Sequence, residues 1–112
     1  MIPVIQTKSG TGTVANVTLK SADTMTLGAG KWLVFSNVTF TSGVSSNSQG
    51  QNRLTVNGEV LGVRWVADTN VTSPPNLALS NGSETIDLGV FVYAGGSSNG
   101  YKYNLYAIRV AG

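Results

Sequence analysis

LTVNGEVLGVRW, residues 54–65, sets two apolar runs on either side of an Asn57-Gly58 pair. A two-residue type I′ turn needs positive φ at both central positions, which Asn and Gly supply most readily. The pair therefore predicts a β-hairpin. The second run, Val60-Leu61-Gly62-Val63-Arg64-Trp65-Val66, is apolar at odd and even positions alike. A strand with one wet face alternates, so something has to cover this strand's second face.

Outward from the hairpin the same texture repeats. Short Val/Ile/Thr/aromatic runs are separated by Gly, Asn, Ser and Pro clusters, and no window carries a helical apolar period. Strands are predicted at Thr13–Leu19, Met25–Leu27, Lys31–Thr41, Leu77–Leu79, Glu84–Ala94 and Tyr101–Val110, besides the hairpin. Trp32 reads as a core aromatic at the start of its strand. The loops are SGVSSNSQGQN at 42–52, the two-proline segment DTNVTSPPN at 68–76 and GGSSNG at 95–100. Closely spaced short strands without helices predict an all-β sandwich or barrel. Residues 1–12, with Pro3 and SGTG at 9–12, read as an N-terminal arm on a domain spanning 13–112.

Composition excludes several functions. With 112 residues there is one domain. There is no Cys and no His, which removes disulfides, thiolate nucleophiles, Cys/His zinc sites and imidazole bases. Asp23, Glu59, Asp68, Glu84 and Asp87 are the carboxylates, and nothing in their spacing pairs Asp68, Glu84 or Asp87 for glycoside hydrolysis. No serine has an activating partner in a recognisable spacing. The expectation is a protein that is not an enzyme and holds no cofactor or metal. Lys8, Lys20, Lys31, Arg53, Arg64, Lys102 and Arg109 are scattered singly, which argues against nucleic-acid binding. No apolar stretch approaches a membrane span. MIPVIQTKSG lacks the charged and apolar regions of a signal peptide, so synthesis in a cytoplasm without secretion is expected. Without a secretory route, the sequons at Asn16, Asn37, Asn70 and Asn81 read as chance matches in a Ser/Thr-rich chain.

GAGKWLVFSNVTFT, residues 28–41, resembles the G-x-Y-x-V-x-x-x-V-x-F strand of tumour necrosis factor and complement-head jelly rolls, with Trp32 at the aromatic position. RLTVNGEVLG resembles the hairpin that follows it. LSNGSETIDLGVFVYAGG resembles the family's L-x-x-G-D-x-I-x-L strand, with Ser83-Glu84 in place of Gly-Asp, and YNLYAIRVAG resembles the closing central strand. The likeness covers roughly residues 24–112 and is one of strands and turns. It implies a jelly roll of about ten strands that trimerises through one sheet. The acidic calcium cluster of complement heads is missing, so no metal site is carried over. The Ser/Thr/Asn/Gly texture is closer to bacteriophage members, which serve as fibre tips or capsid decoration proteins. A short chain opening on its own Met1 fits a decoration (cement) protein better than the end of a long fibre.

These readings give a homotrimer on the virion's capsid surface, assembled in the host cytoplasm and bridging the major capsid protein. Phe35, Trp65, Phe91, Tyr93 and Tyr106 are the expected subunit interface, because two-sided strands need cover. Met1, Ile2, Val4 and Ile5 are the expected capsid-gripping arm, adding to a sheet edge; a terminus without a role is the other reading of that segment. The alternative function is a receptor- or carbohydrate-binding fibre-tip module taking a host surface glycan. Trp65, Tyr93, Tyr103 and Tyr106 would then line a sugar-binding surface.

Overall fold

The computed structural model describes residues 4–44, 49–66, 69–93 and 95–112. Among these residues it holds eight strands: β1 Ile5–Val14, β2 Thr18–Thr26, β3 Ala29–Phe40, β4 Gln49–Val56, β5 Glu59–Val66, β6 Asn76–Gly82, β7 Thr85–Tyr93 and β8 Asn99–Ala111. They form two antiparallel four-stranded sheets, ordered β1-β8-β3-β6 and β2-β7-β4-β5. The chain changes sheet at every connection except β4–β5, which is the Asn57-Gly58 hairpin. This is a jelly-roll β-sandwich, with eight strands where the resemblance implied about ten.

The hairpin turn has the predicted backbone, with φ of 47° at Asn57 and 84° at Gly58. It is also docked: Thr85 N–H donates to Asn57 Oδ1 at 2.8 Å, and Asn57 N–H donates to Thr85 O at 2.9 Å. The core lies between the sheets. β3 turns Trp32, Val34, Val38 and Phe40 inward, and β7 turns Ile86, Leu88, Val90 and Val92 inward. Trp32 is the core aromatic expected, with its Nε1–H donating to Gly28 O at 3.1 Å. Phe40 lies over Gly50, where a Cβ would stand 2.2 Å from the ring.

One part of the core is polar. Ser36 Oγ donates to Asn52 Oδ1 at 2.9 Å, and Asn52 Nδ2 donates to Ser36 O and Ser73 Oγ at 2.8 and 3.1 Å. Asn76 Nδ2 donates to Asn52 O at 2.6 Å. All four side chains are buried, so the cluster satisfies itself and ties β3, β4 and β6 together.

Several boundaries need correction. β4 begins at Gln49, inside the expected 42–52 loop, and β2 runs unbroken from Thr18 to Thr26 through residues expected between strands. The segment 1–12, expected as an arm, is from Ile5 onward the edge strand β1, paired with β8 over ten residues. Its glycines mimic a loop signal but serve another purpose. Gly10 and Gly12 face Tyr103 and Tyr101 across the ladder, and a Cβ there would meet the tyrosine hydroxyls at 2.7 and 2.5 Å. The predicted strand Thr13–Leu19 is two strands, because the chain turns at Asn16 and Val17, with Val17 at φ 54°. Val4 is exposed just ahead of β1, and its carbonyl accepts from Arg109 N–H at 2.9 Å. Met1 and Ile2 lie outside the described residues.

Candidate functional site

Partners across a ladder point to the same side of a sheet, so the register defines what each face presents. On the outer face of the first sheet, one row reads Thr7, Tyr106, Phe35, Leu77, and the next reads Ile5, Ile108, Leu33, Leu79. Phe35 and Tyr106 rest on each other with ring centroids 5.1 Å apart. Seven of these eight residues are apolar or aromatic, and no charged side chain interrupts the two rows. Leu77 and Leu79 are 63% and 71% exposed.

β6 is the informative strand here. It turns Asn76, Ala78 and Ser80 inward and its two leucines outward. A slip of one residue would exchange the faces. The buried Asn76–Asn52 bond opposes that slip, as does the 2.6 Å bond from Ser80 Oγ to Glu84 Oε1. The leucines are therefore held in solvent by polar anchors on their own strand.

The outer face of the second sheet differs. One row reads Leu19, Phe91, Gln51, Trp65, and the next reads Ser21, Gly89, Arg53, Val63. Asp87 and Thr55 follow. Leu19, Ser21, Arg53, Thr55, Asp87 and Gly89 line a shallow hollow of about 230 Å³. Along β5, Val60, Leu61 and Trp65 stay 43–48% exposed, and Leu61 is the extra residue of a bulge between the Leu54–Gly62 and Thr55–Val60 pairs. Within a single chain, the second face of the opening stretch is uncovered.

A third cluster closes the seam between the β1 and β2 edges. Tyr103 OH donates to Asp23 Oδ2 at 2.9 Å, Thr24 N–H donates to Asp23 Oδ1 at 2.8 Å, and Lys8 Nζ lies 3.5 Å from Oδ1. Burial pushes the Asp23 carboxyl up. The Tyr103 and Thr24 hydrogen bonds and the Lys8 charge outweigh it and hold the group below its ordinary value. Burial, then the Asp23 hydrogen bond and charge, raise the Tyr103 phenol to about 12. The direct contacts make this a structural latch.

The structure divides the expected interface. Phe35 and Tyr106 meet on the first sheet; Trp65 and Phe91 lie on the second, with Tyr93 exposed at the end of β7. One sheet face cannot present all five, because they sit on opposite sides of the sandwich. Tyr103 leaves the sugar-surface set, since it points into the seam against Asp23. Glu84 caps its own turn through Ser80 Oγ and Asn81 N–H, whereas Asp87 faces outward and accepts from Ser21 Oγ at 3.0 Å. Asp68 lies outside the described residues. Sequence reading missed Leu77, Leu79, Leu33 and Ile108 as surface residues, although Leu77-x-Leu79 in a strand flanked by Asn76 and Ser80 carries the alternation that exposes them.

No family model matches the chain, and no curated protein matches it in sequence. Solved structures do match in shape. VP2 of infectious bursal disease virus, in a subviral particle, superposes over 98% of this chain with a TM-score of 0.62 at 11% identity. This chain spans 33% of that VP2 chain. A protein of Bacillus endospore appendages, described as a family of disulfide-linked pili, superposes over 97% of this chain and 90% of its own, with a TM-score of 0.54 at 9% identity. These structures support the jelly-roll fold and do not support the expected likeness to tumour necrosis factor-type heads. At these identities the shared property is the fold, and what this chain has in common with a virus particle protein and a pilus protein is the jelly-roll sandwich.

Proposed function

We propose that this protein is a structural, non-enzymatic subunit of a bacteriophage virion, a decoration protein that binds the capsid surface as a homotrimer and stabilises it. The observation that carries the reading is the outer face of the first sheet. Two apolar rows cross all four strands, and Leu77 and Leu79 are fixed outward by buried polar anchors. Soluble monomers rarely leave so continuous an apolar face in water. Three copies meeting around a three-fold axis, each contributing this face, close the assembly without open-ended growth. Such a trimer stabilises a lattice by mass action, because it binds the assembled lattice and not free subunits.

The test has two steps. Light scattering behind a sizing column should give a mass near three times 11.6 kDa, and a clean monomer at 11.6 kDa would overturn the trimer. The trimer should then co-sediment with phage capsids that lack their decoration layer and should raise their resistance to heat. Failure to bind any such capsid would overturn the decoration role and leave the assembly.

A further inference from the structure

We propose that the hollow on the outer face of the second sheet binds a neutral saccharide through one sugar ring. Gly89 of β7 is its floor, Leu19 and Ser21 of β2 form one side, Arg53 and Thr55 of β4 the other, and Asp87 closes one end. Phe91 stands on the same face beyond Gly89, directly opposite Leu19. At about 230 Å³ the hollow falls below the roughly 300–1,000 Å³ of sites for drug-sized ligands. That is room for a single ring.

The polar groups suit a diol. Asp87 brings acceptors and Arg53 brings donors, yet the two do not pair; among the described residues the ion pair present is Lys8–Asp23. Each is oriented by a neighbour, Asp87 by Ser21 Oγ at 3.0 Å and Arg53 by Gln51 Oε1, which accepts from Nη2 at 2.9 Å. Arg53 Nε is buried without a partner. A sugar hydroxyl both donates and accepts, so adjacent hydroxyls bridge the carboxylate and the guanidinium together. An anion would meet Asp87 and a cation would meet Arg53, whereas a neutral ring is opposed by neither. Leu19 offers the hollow's apolar side to the ring's C–H face, and Phe91 extends that apolar surface just beyond the lining. Holding both charged groups in place beforehand limits the ordering that binding has to impose.

Gly89 gives a second, independent reason. A glycine inside a strand weakens it unless something approaches closely. Gly10, Gly12 and Gly50 are each covered by an aromatic ring. A Cβ on Gly89 would stand 3.3 Å from the Leu19 Cδ1 tip and 3.7 and 3.8 Å from Arg53 atoms, and its backbone is outside the left-handed region. The backbone conformation does not require glycine there, and the nearest neighbour is the flexible tip of Leu19, which itself lines the hollow. Without a side chain, Gly89 leaves the floor of the hollow low beside Leu19.

The experiment is a printed array of neutral and acidic glycans probed with the full chain, followed by calorimetric titration of the best neutral hit. Saturable binding of neutral glycans is expected. Asp87→Asn should weaken it about tenfold, the loss of one charge-assisted hydrogen bond. Gly89→Val should abolish it by filling the floor, and if that variant does not fold, Asp87→Asn alone carries the test. Leu79→Ser, on the opposite sheet, should leave the affinity of each site unchanged, so this outcome is independent of the trimer. No neutral glycan bound, acidic glycans only, or affinity unchanged in Asp87→Asn would each overturn the proposal.

Discussion

Tyr106 lies across the ladder from Phe35 on the outer face of the first sheet, their rings tilted by 33° with centroids 5.1 Å apart. Leu77 extends the row on the far side of Phe35. The pair shields itself only in part, and the leucines beside it not at all. Changing Leu79, 71% exposed, to Asp should therefore affect folding and assembly very differently. The stability of the single folded chain, compared at protein concentrations where no trimer forms, should shift by no more than about 0.5 kcal/mol, as for other exposed positions. The mass in solution should drop from a trimer to 11.6 kDa. A soluble Leu79→Asp trimer would place the subunit contact elsewhere.

Stability should depend on pH through the Asp23–Tyr103 latch. Asp23 is held below its ordinary value, so its contribution is present above about pH 3.9, the unfolded value, and is lost as the pH falls through the folded one. Tyr103 is raised to about 12. Its contribution is full below about pH 10, the unfolded value, and disappears as the pH rises through 12. Urea midpoints measured across pH should show both declines. Tyr103→Phe should remove the alkaline decline and weaken the acid one, since Asp23 loses its donor. An unchanged alkaline decline in that variant would assign it to another group.

The buried amide of Asn52 should be among the residues least tolerant of truncation. Asn52→Ala removes the partner of Ser36 Oγ and one partner of Ser73 Oγ and leaves a cavity between β3 and β4. Each stranded buried polar group costs about 1–3 kcal/mol, so a loss of about 2–4 kcal/mol is expected from urea unfolding. A loss below about 1 kcal/mol would mean that water enters and satisfies the hydroxyls.

The relation between chain and fold was legible where one residue type has one physical role. Asn57-Gly58 announces a type I′ hairpin, and the Val/Ile/Thr/aromatic runs at Lys31–Thr41 and Glu84–Ala94 mark the two strands that carry most of the core, β3 and β7. What alternation does not carry is which sheet a strand joins. Phe35 and Phe91 follow the same pattern in their own strands, and only the jelly-roll crossovers put them on opposite faces of the sandwich. Residues 1–12 look like an arm for a related reason. Gly10 and Gly12 are loop residues by propensity, and the tyrosine rings that need their missing side chains lie some ninety residues later in the chain. The hollow was not legible at all, because Asp87 and Arg53 come together only through the β4–β7 register.

Val17 is where local preference and fold disagree most openly. It turns the chain from β1 into β2 at φ 54°, a region that costs an L-residue about 1–2 kcal/mol and a β-branched one at least that much. The turn is held from outside, by Val17 N–H donating to Val92 O at 2.6 Å and by Asn16 Oδ1 accepting from Gly95 N–H at 2.9 Å. The Val17 side chain is 59% exposed, so removing it sacrifices little packing. Val17→Asn should stabilise the protein by about 0.5–1 kcal/mol, since Asn tolerates this backbone. Val17→Gly should gain less, because glycine also loosens the unfolded chain. Urea unfolding of the three proteins decides it: stability in the order Asn, Gly, Val supports a strained turn held by β7, and Val as the most stable would mean that its exposed side chain is covered in the assembled protein.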